Sequence, residues 1–491
     1  MNDHPTPDPA LTDRNALYIG GSWRYSAGAA TDPVANAADG TELGAIPRGT
    51  AEDVDVAVIA ARVASNAWAA SGVAERVEVL RALSAGLAER QDAIARLISL
   101  EVGTPLKISR AVQVGLPSAV LNAFADTLGS YAWEHEVGNS LVVREAAGVV
   151  GAITPWNYPL HQLVAKVGGA LAAGCSVVAK PAGVAPLSAF AFADVFAEVA
   201  DRLGLPAGLF NLVSGPGSEV GEAIAGHPGV DVVSFTGSTA AGARVMRTAA
   251  EHITRVSLEL GGKSANIVLP TADLGRAVKT GVNNAFLNSG QTCSAWTRML
   301  VSRESQDEVI DLARAAAERL TLGHPLDAAT RLGPLASAQQ QATVRDYIRL
   351  GESEGGAGQA AKLVLGGSAT PDGLDEGFYV RPTIFAGVDN ASRLAQEEIF
   401  GPVLVIIPFD NEDEAVAIAN DSPYGLAGGV WSGDEEHALA VARRIRTGQV
   451  DVNGGAFNPA APFGGYKKSG LGREFGTHGI DEFTETKAIQ R

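Results

Sequence analysis

Cys293 stands in the run Asn288-Ser289-Gly290-Gln291-Thr292-Cys293-Ser294, and Glu259 in Leu258-Glu259-Leu260-Gly261-Gly262-Lys263-Ser264. A thiol among small polar residues is available as a nucleophile, and a carboxylate in a second Gly-rich segment can activate water against the thioester such a nucleophile forms. A structural cysteine usually sits among apolar residues instead. Cys175 does so, in Ala172-Ala173-Gly174-Cys175-Ser176-Val177-Val178, and is expected to be buried and inert. Glu259, flanked by two leucines and followed by two glycines, is poorly placed for simple solvation. Attack of a thiolate on a carbonyl carbon creates a tetrahedral oxyanion, which needs donors already aimed at it. Asn157, in Thr154-Pro155-Trp156-Asn157-Tyr158-Pro159, can supply its side-chain amide, with the backbone N–H of Cys293 as a second donor. Taken alone, Asn157 is also a plausible turn residue ahead of Pro159.

The elements that must position these groups alternate short β-branched runs with longer Ala-rich helical patterns from residue 141 onward, the signature of parallel βαβ units. Strands are expected at 149–153, 176–180, 210–214 and 232–236, with helices at 160–173, 186–203, 218–226 and 239–252. Such a sheet binds ligands beyond the carboxyl ends of its strands, where Lys180-Pro181 and Phe235-Thr236-Gly237-Ser238 fall. Gly237-Ser238-Thr239-Ala240-Ala241-Gly242 follows a strand and opens a helix, so its N–H groups can face a pyrophosphate, although it is not the Gly-x-Gly-x-x-Gly fingerprint. A second set of strands, at 266–269, 299–302, 403–408 and 450–453, reads as a second α/β domain. The stretch 54–100 is mostly helical, with Val56, Ile59, Val63 and Trp68 as its expected core-facing positions. Gly355-Gly356-Ala357-Gly358 reads as a flexible loop.

With 491 residues, 46% hydrophobic and 19% charged, the chain is too long for one core and predicts two or three domains. A net charge of −17 argues against nucleic acid or an anionic membrane as partner. The longest apolar run, 167–179, is rich in Gly and Ala and lies between Lys166 and Lys180, which excludes a membrane span. The first fifteen residues carry Asp3, Asp8 and Asp13 among prolines, which reads as a frayed arm and not a signal peptide; two thiols in so large an acidic chain point to the cytoplasm. No metal site is expected.

Taken with Glu397-Glu398-Ile399-Phe400-Gly401-Pro402 and Pro462-Phe463-Gly464-Gly465-Tyr466-Lys467, these motifs resemble those of the aldehyde dehydrogenase superfamily, in the branch that oxidises aldehydes to free acids with a nicotinamide cofactor. The resemblance runs from about residue 18 to about residue 487. It implies an α/β fold with a Rossmann-like cofactor domain (1–129 and 146–258), an α/β catalytic domain (259–482) and a small β oligomerisation extension (130–145 and 483–491) that pairs subunits into a homodimer or homotetramer. It makes Cys293 the nucleophile, Asn157 the oxyanion donor and Glu259 the general base. Glu474 matches a second glutamate that assists proton transfer, with a surface ion pair as the competing reading, and Lys166 a lysine near the nicotinamide ribose.

For the cofactor, the resemblance implicates Thr154, Pro155, Trp156, Gly217, Gly221, Thr236, Gly237, Ser238, Leu260 and Gly261, with Lys180 at the adenosine ribose, Glu398 at the nicotinamide ribose and Phe400 beside the nicotinamide. Many NAD-preferring relatives carry a glutamate where this chain has Gly183, so NAD is the expected cofactor with NADP admissible. Tyr158, His161, Gln162, Leu287, Trp296, Phe457 and Phe463 suggest a mixed, partly aromatic aldehyde pocket, with a satisfied histidine as the competing reading of His161. No arginine in 283–294 or 450–465 offers a carboxylate clamp, although Arg110 could reach a distal carboxylate. The substrate class implied is medium-chain, ω-oxo-acid or aromatic aldehydes. A CoA-acylating relative is disfavoured by Glu259, and a non-catalytic relative by the presence of all three catalytic candidates.

Overall fold

The computed structural model describes residues 8–356 and 361–491. Val149–Ile153, Ser176–Lys180 and Val232–Thr236 lie side by side as parallel strands, each buried along its whole length. Covering both faces of a sheet with helices removes the polar alternation, which is why these strands read as continuous apolar runs. They form the middle of an eight-stranded sheet in the order Gly470–Leu471, Arg255–Glu259, Val232–Thr236, Val149–Ile153, Ser176–Lys180, Phe210–Leu212, Leu17–Ile19, Ser22–Arg24. A seven-stranded sheet runs Lys362–Leu365, Thr383–Ala386, Val403–Phe409, Arg298–Ser302, Ala265–Val268, Gly428–Trp431, Asp451–Val452. A separate three-stranded sheet joins Glu134–Val137, Ser140–Ala146 and Thr484–Gln490, the last two antiparallel from Thr484↔Ala146 to Gln490↔Ser140.

The helix Pro159–Ala173 has Pro at its first turn and ends on Gly174 at φ 94°, the left-handed stop that glycine tolerates. Every residue in it is buried, and a Cβ on Gly169 would come within 2.9 Å of the Phe483 ring, so this helix needs glycine where the last strand approaches. Cys175 is fully buried beside it, its thiol donating to the Phe483 carbonyl at 3.2 Å, and burial pushes that thiol up to about 11.

Several expectations are corrected. On the helix Ala51–Ala69, Ile59 and Val63 are 57% and 71% exposed, while Val54, Ala57, Val58, Ala61, Ala64 and Trp68 form the buried face. The close-packed face is made of alanines, which apolar size alone does not reveal. The stretch expected to fray is docked from residue 8 onward: Asp8 caps a short helix, Pro9–Thr12, and Arg14 pairs with Asp194 at 2.6 Å. Gly355 and Gly356 close the helix Ala338–Gly356, while residues 357 and 358 of that predicted loop lie outside the described residues. The predicted helix at 218–226 is a π-turn, Gly217–Gly221, followed by one α-turn, Glu222–Ala225. Among the described residues, no helix is long and apolar enough to cross a membrane.

Candidate active site

Parallel pairing of Thr236 with Glu259 brings the carboxyl ends of two strands level, and the Glu259 side chain emerges there. The antiparallel strand Gly470–Leu471 holds this end, and Ser469 fixes the following turn by accepting from Leu260 N at 2.9 Å and donating its hydroxyl to Gly261 O at 2.6 Å. The neighbouring strand Val149–Ile153 delivers Thr154 to Asn157 to the same edge. Cys293 arrives on a tight turn in which Asn288 and Ser289 adopt left-handed backbone (φ 52° and 57°), followed by Gly290 at φ 73°. Glycine is required there, because a Cβ on Gly290 would lie 2.0 Å from the Gly401 carbonyl oxygen.

The turn is tied to Asn157. Its Nδ2 donates to Gln291 O at 3.0 Å, and its backbone carbonyl accepts from Gln113 Nε2 and Asn288 Nδ2, both at 2.9 Å. Gln291 is pinned in turn by Ala336 N, which donates to Oε1 at 2.9 Å. One Asn157 amide hydrogen is used in this way, and the second remains for the cleft that Asn157 lines. Tyr158 bonds Thr292 through its hydroxyl at 2.8 Å, locking the residue before the thiol.

A cleft of about 200 Å³ brings together Pro155, Trp156, Asn157, Thr236, Gly237, Ser238, Glu259, Leu260, Gly261, Cys293, Glu398 and Phe400, with Gln340 added. Glu259 is 3% exposed and neither carboxylate oxygen has an aligned hydrogen-bond partner. Burial, then the nearby charge of Glu474, pushes it up to about 8, against the pull of Lys166 and of the adjacent Cys293 thiol. The Cys293 thiol is itself held well above its ordinary value by burial and by the charges of Glu259 and Glu398. The arrangement sets a thiol beside a carboxylate that is able to accept its proton. Lys166 and Glu474 form a buried ion pair at 2.5 Å, and Lys166 also donates to Thr236 Oγ1 at 2.7 Å. The surface ion pair read from sequence for Glu474 is therefore corrected: the pair exists, but it lies inside, with Glu474 9% exposed at its side chain.

The family model described as "Aldehyde dehydrogenase family" matches residues 23–489. The chain belongs to the aldehyde dehydrogenase family. It is 48% identical over 485 residues to a 3-succinoylsemialdehyde-pyridine dehydrogenase from a Pseudomonas species, covering 98% of this chain and 99% of that one. Aldehyde dehydrogenase C from Pseudomonas syringae, solved as a cysteine-to-alanine mutant with NAD+ and octanal, is 46% identical with a TM-score of 0.95, covering 100% of this chain and 99% of that one. Betaine aldehyde dehydrogenase from Staphylococcus aureus, solved with NAD+, is 36% identical with a TM-score of 0.91, covering 97% and 94%.

For an aldehyde dehydrogenase, the cleft together with the strand ends beside it offers aromatic faces, carboxylates and backbone donors of the kind a nicotinamide dinucleotide needs. Trp156 meets Phe400 edge-on at 5.3 Å, and Phe400 is held in a left-handed conformation (φ 59°) while its carbonyl accepts from Gln340 Nε2 at 2.8 Å. Glu398 accepts from Gly262 N at 2.9 Å, and burial pushes it up to about 7. Gly261 leaves room for this carboxylate, since a Cβ there would come within 2.1 Å of Glu398 Oε2. Ser238 caps the helix Thr239–Ala250, so its N–H groups face the strand ends. Thr154 is buried with its hydroxyl unpartnered, and its N–H donates to Lys180 O at 3.0 Å. Lys180 is buried, donates to Pro181 O at 2.9 Å and is lowered to about 8 by burial, with Asp32 opposing that shift. Gly221 runs beside the Lys180 stem, and Gly217 and Gly183 have open space where a side chain would go. Lys180, Gly183, Gly217, Gly221 and Thr154 thus lie outside the catalytic cleft, further along the strand ends. Asp32 is a carboxylate near Lys180 that the reading of Gly183 did not include.

The aromatic residues divide. Phe457 and Phe463 meet at 6.3 Å and both pack on Phe475, which also stacks on His161 at 5.6 Å. Phe463 and Glu474 pair through their backbones, linking this cluster to the buried Lys166 pair. His161 is buried with Nδ1 unpartnered and is lowered to about 4 by burial, then by Lys166, so it is a neutral imidazole at neutral pH. Gln162 accepts from Thr236 Oγ1 at 3.3 Å, and Leu287 is half-buried on the approach to the Cys293 turn. Trp296 does not join this group, since it packs in the core with Val282 and Met299 against Gly429. Arg110 is held by Asp92 at 2.8 Å on the surface. Gln113 and Gln340 were missed because each lies far in sequence from the motif it supports, and Phe475 because only folding stacks it on His161.

Proposed function

We propose that this chain oxidises aldehydes to free carboxylic acids with NAD, through covalent catalysis on Cys293. The observation that carries this reading is the single cleft shared by Cys293, Asn157, Glu259, Trp156, Glu398 and Phe400. The Cys293 thiol gives its proton to the Glu259 carboxylate and its sulfur attacks the aldehyde carbon. The oxyanion so formed accepts from the free Asn157 amide hydrogen and from the backbone N–H of Cys293. The nicotinamide, when bound, supplies the acceptor for the hydride that this carbon gives up, leaving an acyl thioester on Cys293. Glu259, deprotonated again, takes a proton from water whose oxygen attacks the acyl carbon; the C–S bond breaks, the acid departs and the thiol is restored. The Glu474 carboxylate, held in place by Lys166, receives the proton that Glu259 must lose between the two steps.

Glu398 and Phe400 would hold the nicotinamide ribose and ring, Gly237 and Ser238 the pyrophosphate, and Lys180 the adenosine ribose, with NADP a weaker second cofactor. Residues 1–129 with 146–258 serve the cofactor, 259–482 the chemistry, and 130–145 with 483–491 subunit pairing into a homodimer or homotetramer in the cytoplasm. Octanal in the related structure supports a medium-chain aldehyde passing the Tyr158, His161, Phe457 and Phe463 side chains. The test is Cys293→Ala beside Cys175→Ala. Turnover is lost in the first with cofactor binding retained, and is kept in the second; turnover surviving Cys293→Ala removes the covalent step.

A further inference from the structure

Away from the catalytic cleft, helices Leu274–Ala285 and Gln306–Ala317 pack against each other on one side of the seven-stranded sheet. Gly275, Lys279 and Asn283 fall four residues apart and so share one face of the first helix. Leu312, Ala316 and Arg319, four and then three residues apart, share one face of the second helix and its exit. Between these faces lies a groove of about 500 Å³, larger than the catalytic cleft, closed by Leu320 and Arg331. Small residues at Gly275, Ala315 and Ala316 give it depth, and Leu312 and Leu320 give it apolar walls.

Its charge is the unusual feature. In a chain carrying −17, the groove lining holds Lys279, Arg319 and Arg331 and no carboxylate. None of the three cations has an ion-pair or side-chain hydrogen-bond partner among the described residues. Most other arginines in the chain are neutralised, as Arg14, Arg62, Arg81, Arg90 and Arg110 are by adjacent carboxylates. Three uncompensated cations beside an apolar trough complement an anion that carries a hydrocarbon tail, and a fully hydrated anion such as sulfate gains nothing from the leucine walls.

We propose that this groove binds a small amphipathic carboxylate, its head group on Lys279, Arg319 and Arg331 and its tail along Leu312, Ala316 and Leu320. The probe is octanoate, titrated into the intact protein and read by calorimetry and by hydrogen exchange of the two helices. Octanoate protects 274–285 and 306–320, and the double variant Arg319→Gln with Arg331→Gln weakens that protection by about threefold to thirtyfold, the range expected from losing two exposed ionic contacts. Turnover with saturating aldehyde stays at the wild-type level in the double variant, because neither arginine lines the catalytic cleft. Protection confined to the Cys293 turn and its neighbours overturns the proposal, as does unchanged affinity in the double variant. Equal protection by 1-octanol shows that the cations play no part, and equal binding of sulfate that the walls play none; either result also overturns it.

Discussion

Glu474 is the second largest influence on Glu259 after burial, and it opposes ionisation of that base. Replacing it by glutamine removes the like charge and also frees Lys166, whose ammonium is now held by Glu474 at 2.5 Å, to act on Glu259 unopposed. Both changes favour the carboxylate, so the pH at which hydrolysis reaches half its maximum moves down from about 8. The sign is that of a base: hydrolysis needs the ionised form, which accumulates as pH rises through the shifted value. With that value near 8, roughly a tenth of Glu259 is ionised at pH 7, so the largest gain available at pH 7 is about tenfold, and a shift of half a unit yields about threefold. The assay is single-turnover decay of the acyl-enzyme, stopped by rapid acid quench and followed by intact mass from pH 6 to pH 9. Reading the position of the pH limb separately from the plateau distinguishes this electrostatic effect from loss of a proton exit through Glu474, which lowers the plateau alone. A limb that stays in place or moves upward refutes the reasoning.

Asn157→Ala slows acylation by about 10²-fold or more, the usual effect of losing one oxyanion donor, while leaving hydrolysis of preformed acyl-enzyme less affected; an unchanged acylation rate in stopped flow removes Asn157 from that role. Gly183→Glu occupies open space and places a second carboxylate near Lys180, where Asp32 already acts, so the ratio of kcat/KM for NAD over NADP rises; an unaltered ratio assigns the choice to Asp32 or another residue.

The strands that carry the site were legible because burial on both faces leaves an uninterrupted apolar signal, as in Val149–Ile153 and Val232–Thr236. Arg255–Glu259 was not recognised as a strand, since Arg255 and Ser257 interrupt that signal and its pairing with Gly470–Leu471 is remote in sequence. The N-terminal strands Leu17–Ile19, Ser22–Arg24, Thr31–Ala35 and Glu42–Pro47 are short, and the exposed ones carry no periodicity that distinguishes them from loop. Chemistry-bearing residues stood out where their type conflicted with their surroundings, as a thiol among polar residues or a carboxylate between leucines does. Their supports did not: Gln113 and Gln340 act through backbone carbonyls that only folding brings near, and Trp296 has the composition of a pocket residue but the packing of a core residue. Domain limits and subunit pairing rest on the resemblance; the structure itself shows Glu134–Val137, Ser140–Ala146 and Thr484–Gln490 as a separate sheet.

The central claim is that Glu259 completes a covalent reaction begun on Cys293, and Glu259→Gln tests it most directly, because the amide keeps the shape but cannot accept a proton. Pre-steady-state mixing of this variant with saturating aldehyde and NAD gives a burst of about one reduced cofactor per site, slower than wild type because the Cys293 thiol must lose its proton to solvent, with trapped acyl-enzyme on Cys293 by mass and a steady rate about 10²-fold or more below wild type. A variant that turns over at the wild-type rate with no trapped thioester, or a wild-type enzyme that releases product only as an acyl-CoA when CoA is present, contradicts the account.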